Sequence, residues 1–125
     1  MSTWRRKALE CMPFHKRDIE APDFSVHEMM GLLLDAVVKA HQQTDHARLT
    51  QYYAFAAWCL RQRDKKLWNA AGVSFYEHLG NYEETRSALH LWVDKDVYLQ
   101  ISSLLERMME PSAFKILDNT FLAKT

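Results

Sequence analysis

The chain has 125 residues, 48% of them apolar and 26% charged, enough to bury a single core and too apolar for a disordered polymer. Sixteen Lys and Arg balance sixteen Asp and Glu, with 7 of each sign through residue 60 and 9 of each after it. Neither half therefore supplies the electropositive face that nucleic acid needs, and the interrupted apolar stretch "LLLDAVV" is too short to cross a membrane.

The opening "STWRRKALECM" reads as a short helix, capped by Ser2 or Thr3 and ended by Pro13. It carries charge without the apolar run of a secretory leader. Residues 13–24, "PFHKRDIEAPDF", hold two prolines and mixed charge and are expected to form a connecting arm. The core begins at "SVHE". Ser25 with Glu28 three residues later is a capping box, each side chain satisfying an amide of the other residue. Val26, Met30, Leu33, Leu34 and Val37 then follow helical spacing. Thr44 or Asp45 is expected to cap a second core helix, "HARLTQYYAFAAWCLRQR".

Asp64 is expected to cap a third, "KKLWNAAGVSFYEHL", ended by Gly80 in a left-handed conformation. At 100° per residue, Leu67, Trp68, Ala71, Phe75, His78 and Leu79 share one broad face of that helix. Ala70, Val73, Ser74 and Glu77 lie on another. Such a helix is central and packed on both sides, or it completes a homodimer. Gly72 costs about 1 kcal/mol relative to alanine, a cost that close approach of a neighbouring helix could offset.

Asn81 with Glu84 is expected to start "YEETRSALHLW". Asp94 or Asp96 opens a helix with the stripe Val97, Ile101, Leu104, Leu105 and Met108, closed by Pro111. Ser112 is expected to cap a last segment through Phe114, Leu117 and Phe121. The fold class is therefore all-α: an irregular bundle of about six to seven helices built from antiparallel hairpins joined by short loops. One domain spans residues 1–125, with an N-terminal helix and arm at 1–24, core helices at 25–110 and a C-terminal segment at 111–125.

Cys11 and Cys59 have no metal-site spacing, and with no leader sequence a reduced, cytoplasmic protein is expected. His41, Asp45 and His46 cluster across one turn, with His27 on the His41 helix face, so imidazole and carboxylate could hold zinc or iron. With Glu77 and His78 these histidines define the alternative reading, a metal-binding or acid/base enzyme. Glu77 and His78 point about 100° apart, which makes a dyad of the two geometrically poor. His78 reads better as a histidine flanking the core, and Glu77 as exposed or paired with an arginine of the next helix. No nucleophile elbow and no Gly-rich phosphate loop occur, so no catalytic residue and no cofactor are assigned.

The basic run "RQRDKK" places Arg61 and Arg63 where cations suit a helix C-terminus. It places Lys65 and Lys66 at a helix N-terminus, where they do not. Trp58 projects with Gln51, Ala54 and Gln62, away from the Leu49, Tyr53, Ala56 and Leu60 stripe. It is either an interface anchor or buried against the N-terminal helix. Trp58, Arg61, Arg63, Lys65 and Lys66 are thus the candidate contacts with a protein partner.

Residues 54–79, "AFAAWCLRQRDKKLWNAAGVSFYEHL", resemble a family of small all-helical bacterial proteins of unestablished activity. The resemblance rests on Trp58-Cys59, the charged turn, Asn69-Ala70 and Phe75 to Leu79, and names no catalytic residue. Relatives of this kind look like components of toxin–immunity neighbourhoods. The resemblance therefore implies a small interaction module, an immunity protein that binds and sterically blocks a co-encoded toxin.

Overall fold

Ser25 and Glu28 form the capping box that their spacing demands. The Ser25 hydroxyl accepts from the Glu28 amide, and the Glu28 carboxylate accepts from the Ser25 amide, each at 3.1 Å. This box opens α3, Val26–Gln42, in a computed structural model that describes residues 1–123. The turn after α3 reverses the chain through Thr44, whose φ of 53° is the one positive value at a non-glycine among the described residues. Asp45, rather than Thr44, then caps α4, His46–Leu60, by accepting from the Arg48 amide. A connection this short makes α3 and α4 an antiparallel pair.

Asp64 caps α5, Lys65–Ser74, accepting from the Lys66 amide at 2.9 Å. α3, α4 and α5 pack on one another and bury Met29, Met30, Leu33, Val37, Leu49, Tyr52, Phe55, Ala56, Ala70 and Ala71. The expected continuation of α5 to Gly80 does not occur. The α-helix breaks at Phe75 (φ −128°, ψ −74°), and a 3₁₀ segment, Tyr76–Asn81, follows. The Phe75 ring is fully buried, edge-on to Tyr53 at 6.2 Å and to Tyr76 at 5.0 Å. Burying these neighbouring rings outweighs one turn of helix. Gly80 has no positive φ; it is needed because a Cβ there would lie 2.5 Å from Met109 Sδ.

The expected helix 82–92 is likewise two short pieces, α6 at Glu83–Arg86 and α7 at Leu89–Trp92. Neither Asn81 nor Tyr82 provides a side-chain cap for α6. Buried Thr85 sets the geometry, its hydroxyl donating to the Leu79 carbonyl and to Tyr82 O. α8, Lys95–Met108, buries Val97, Ile101 and Leu105 of the expected stripe, while Met108 is exposed. Pro111 opens α9, Pro111–Leu122, at the N1 position where a missing amide costs nothing, so Ser112 is inside the helix and not its cap. Phe121 stacks on Tyr98 at 3.9 Å and holds α9 to α8.

At the N-terminus α1, Thr3–Cys11, packs on α4. The arm is partly helical: a 3₁₀ turn at Pro13–His15, then α2, Lys16–Glu20. Arg5 anchors it, its guanidinium donating to the carbonyls of Ile19 (2.5 Å), Ala21 (2.9 Å) and Phe24 (2.7 Å). The all-α class holds, with nine α-helices among the described residues instead of six or seven. The surplus comes from the helical arm and from the split of residues 82–92.

Candidate functional site

A groove of about 610 Å³ lies between α5 and α8 beside the end of α4. The two helices approach at Gly72, whose missing Cβ would stand 3.2 Å from Leu104 Cδ1. Gly72 therefore is the close-packing position, and it packs against α8. The groove is lined by Leu60 at the end of α4 and by Arg61 and Gln62 just after it, from α5 by Trp68, Asn69 and Val73, and from α8 by Gln100, Ile101, Ser103 and Leu104.

Trp68 is 40% exposed here, although the helical projection had placed it on the core face. Ending α5 at Ser74 frees its Trp68 side, because α8 packs mainly on the 3₁₀ segment beyond the break. The polar side chains just after α4 are already engaged. Arg61 donates to Asp94 and to Asp96, each at 3.1 Å, which raises its pKa, the Asp94 bond being the largest cause. Gln62 donates to the Trp58 carbonyl at 2.9 Å. The groove thus combines apolar side chains (Leu60, Trp68, Val73, Ile101, Leu104) with the polar side chains of Asn69, Gln100 and Ser103, while Arg61 and Gln62 are engaged within the protein.

The basic turn stands at the end of this groove. Arg63, Lys65 and Lys66 are all exposed and form no ion pair among the described residues. Lys65 lies three and four residues before Trp68 and Asn69, so it extends the same helix face. Lys65 and Lys66 also occupy the first turn of α5, which has no acidic residue to complement the helix dipole. The cationic turn proposed from sequence and the groove are therefore contiguous, with Arg61 diverted into an internal pair.

Trp58 is elsewhere. It is half-buried beside α1, with the Lys7 ammonium 5.0 Å from its ring centroid, as the burial reading expected. Trp58, the expected candidate partner contact, therefore does not line this groove. The sequence signal for Trp68 was its place one turn after Lys65, legible only once α5 is known to stop at Ser74.

The histidines of the enzyme reading are dispersed. His27 and His41 share a helix face but are separated by fourteen residues, about 21 Å of helix rise. The His27 Nδ1 is paired with the Ser74 hydroxyl at 2.6 Å. The His41 Nε2 is paired with the Tyr53 hydroxyl at 2.8 Å, and burial lowers its pKa from 6.5 against an opposing pull from Glu84. His46 meets Trp92 edge-on at 5.7 Å. Glu77 lies in the 3₁₀ segment, its side chain 15% exposed and 4.0 Å from Arg107 of α8. This is the pairing with an arginine, formed with α8. His78 is half-buried on the same segment. Among the described residues no three His, Cys, Asp or Glu side chains come together as a metal-ligand set.

Both cysteines are free thiols. Burial, reinforced by Glu10, pushes Cys11 up to about 11, and burial pushes Cys59 up to about 12, so neither is a thiolate at neutral pH. No described helix is long and apolar enough to cross a membrane.

Compared with protein-family models, residues 7–110 match a domain of unknown function, DUF7674. No curated protein and no solved structure matches the chain.

Proposed function

The chain belongs to the DUF7674 family of domains of unknown function, and we propose that it works by binding a protein partner and not by catalysis. The observation that carries this reading is the Trp68 groove beside three cations that form no ion pair among the described residues. A half-exposed tryptophan among apolar side chains is the residue type that anchors interfaces, and Asn69, Gln100 and Ser103 beside it offer hydrogen-bonding groups to a partner. The turn supplies long-range attraction and register, and the groove supplies the apolar contact.

The concrete form is an immunity-type inhibitor of cytoplasmic location that covers the active cleft of a co-encoded toxin. It is supported by the resemblance carried by residues 54–79. Blocking would be steric, which asks of the protein a rigid surface and no turnover. Arg63, Lys65 and Lys66 remain contact candidates, Trp68 joins them, and Arg61 acts by holding the end of α4 to the start of α8.

The test is co-expression with the product of the adjacent gene. A stable complex of fixed stoichiometry, with loss of that product's toxicity, is expected. A neighbouring product that neither binds nor is inhibited would remove the immunity version. Substrate turnover by the isolated protein would remove the interaction reading altogether.

A further inference from the structure

The walls of the groove also restrict what can fill it. We propose that it receives one face of an amphipathic helix from the partner. Apolar residues of that helix enter between Trp68 and Leu104, and acidic residues face Arg63, Lys65 and Lys66. This assignment rests on the interaction reading above and names the segment that the interaction uses.

Three observations converge on it. The first is shape. The groove lies between two helices in a chain with no strand among its described residues, so there is no sheet edge for an extended peptide to join. A groove between two helices is the site that an amphipathic helix fills by ridge-into-groove packing. The α8 wall runs from Gln100 through Ile101 and Ser103 to Leu104, about 6 Å of rise, or roughly one turn.

The second is charge. Of the carboxylates near the turn, Asp64 caps α5, and Asp94 and Asp96 hold Arg61. Among the described residues Arg63, Lys65 and Lys66 have no such partner. Four cations against three carboxylates leave the rim net positive, and the dipole of α5 adds to it. An acidic segment gains from both; a basic one is repelled.

The third concerns a second copy of the chain. A two-fold contact through this face would set concave against concave and basic turn against basic turn. Neither the space nor the charge would be complemented.

The proposal is tested with a displayed library of random peptides of about 16 residues, selected on the full-length protein. The Trp68→Ala variant is a counter-screen, with its helicity checked by circular dichroism. Trp68 is half-exposed and Lys65 exposed, so neither change removes core. Selected peptides are expected to combine Asp and Glu with apolar residues at helical spacing. They are expected to lose about tenfold or more in affinity on Trp68→Ala and on Lys65→Glu, and to weaken with salt.

Failure to enrich any peptide sensitive to Trp68→Ala would overturn the proposal. So would enrichment of basic peptides, or self-association that Trp68→Ala abolishes. A co-encoded partner bound equally well by Trp68→Ala would sink the groove assignment while leaving the interaction reading intact.

Discussion

Gly72 and Leu104 meet across α5 and α8 at a distance that leaves room for a hydrogen and little more: a methyl at Gly72 would lie 3.2 Å from Leu104 Cδ1. Leu104 is half-exposed and borders the groove, so it can yield by a few tenths of an ångström. Gly72→Ala therefore recovers part of the roughly 1 kcal/mol that glycine costs a helix. It also moves Leu104 toward the space where a partner would sit. The expected outcome is unchanged or slightly raised stability in urea, combined with weaker binding of any groove ligand. A substantial loss of stability would show instead that Leu104 is held rigidly.

Gly80 makes a contrasting case. A Cβ there would lie 2.5 Å from Met109 Sδ and 2.6 Å from its Cγ. Met109 is buried, and its Cγ cannot swing clear as a chain end would. Gly80→Ala should destabilise the fold by about 1–3 kcal/mol through overpacking. Combining it with Met109→Ala should cost less than the sum of the two single changes, the signature of direct contact. Additive effects in denaturant titrations would refute the contact.

These two glycines mark what the sequence could and could not reveal. The capping box at Ser25 and Glu28, the caps at Asp45 and Asp64, and the stripe Val97, Ile101 and Leu105 are local patterns, and each is realised as read. Close packing at Gly72 was legible because small residues surround it. The break at Phe75 was not. No proline or glycine stands there, and the α-helix ends because Phe75 and Tyr76 bury their rings in the core. That single tertiary event invalidated the projection of Trp68, Glu77 and His78 from one straight helix. It hid the groove as well, since Trp68 reads as a core residue until α5 is known to stop six residues later.

Thr44 holds a left-handed backbone at φ 53°, although its β-branched side chain disfavours that region. The turn between α3 and α4 forces it, with the Thr44 amide donating to the His41 carbonyl and the Asp45 amide to the Ala40 carbonyl. Its side chain is exposed, so replacement removes strain without opening a cavity. Thr44→Asn should stabilise the protein by about 0.5–1 kcal/mol, and Thr44→Gly by somewhat less because glycine also frees the unfolded chain. Thermal unfolding would reveal this as a midpoint raised by a few degrees. A lowered midpoint for both variants would mean that the Thr44 side chain contributes a contact of its own.

His41 should make stability depend on pH near neutrality. Its ring is half-buried, with Nε2 2.8 Å from the Tyr53 hydroxyl and the Tyr53 and Trp92 rings at 5.8 and 6.4 Å. Burial lowers its pKa below 6.5, and Glu84 only partly opposes that shift. The unfolded chain therefore takes up this proton first as the pH falls, and stability declines wherever the unfolded state binds more protons. The contribution is whole above about pH 6.5. It is lost progressively below that value, until the folded protein also protonates His41. His41→Gln keeps a polar group beside Tyr53 and cannot take up a proton in this range. Urea midpoints measured from pH 7.5 down to 5.5 should fall more steeply for the native protein than for His41→Gln. Parallel curves would show that the buried imidazole is not what couples folding to protons here.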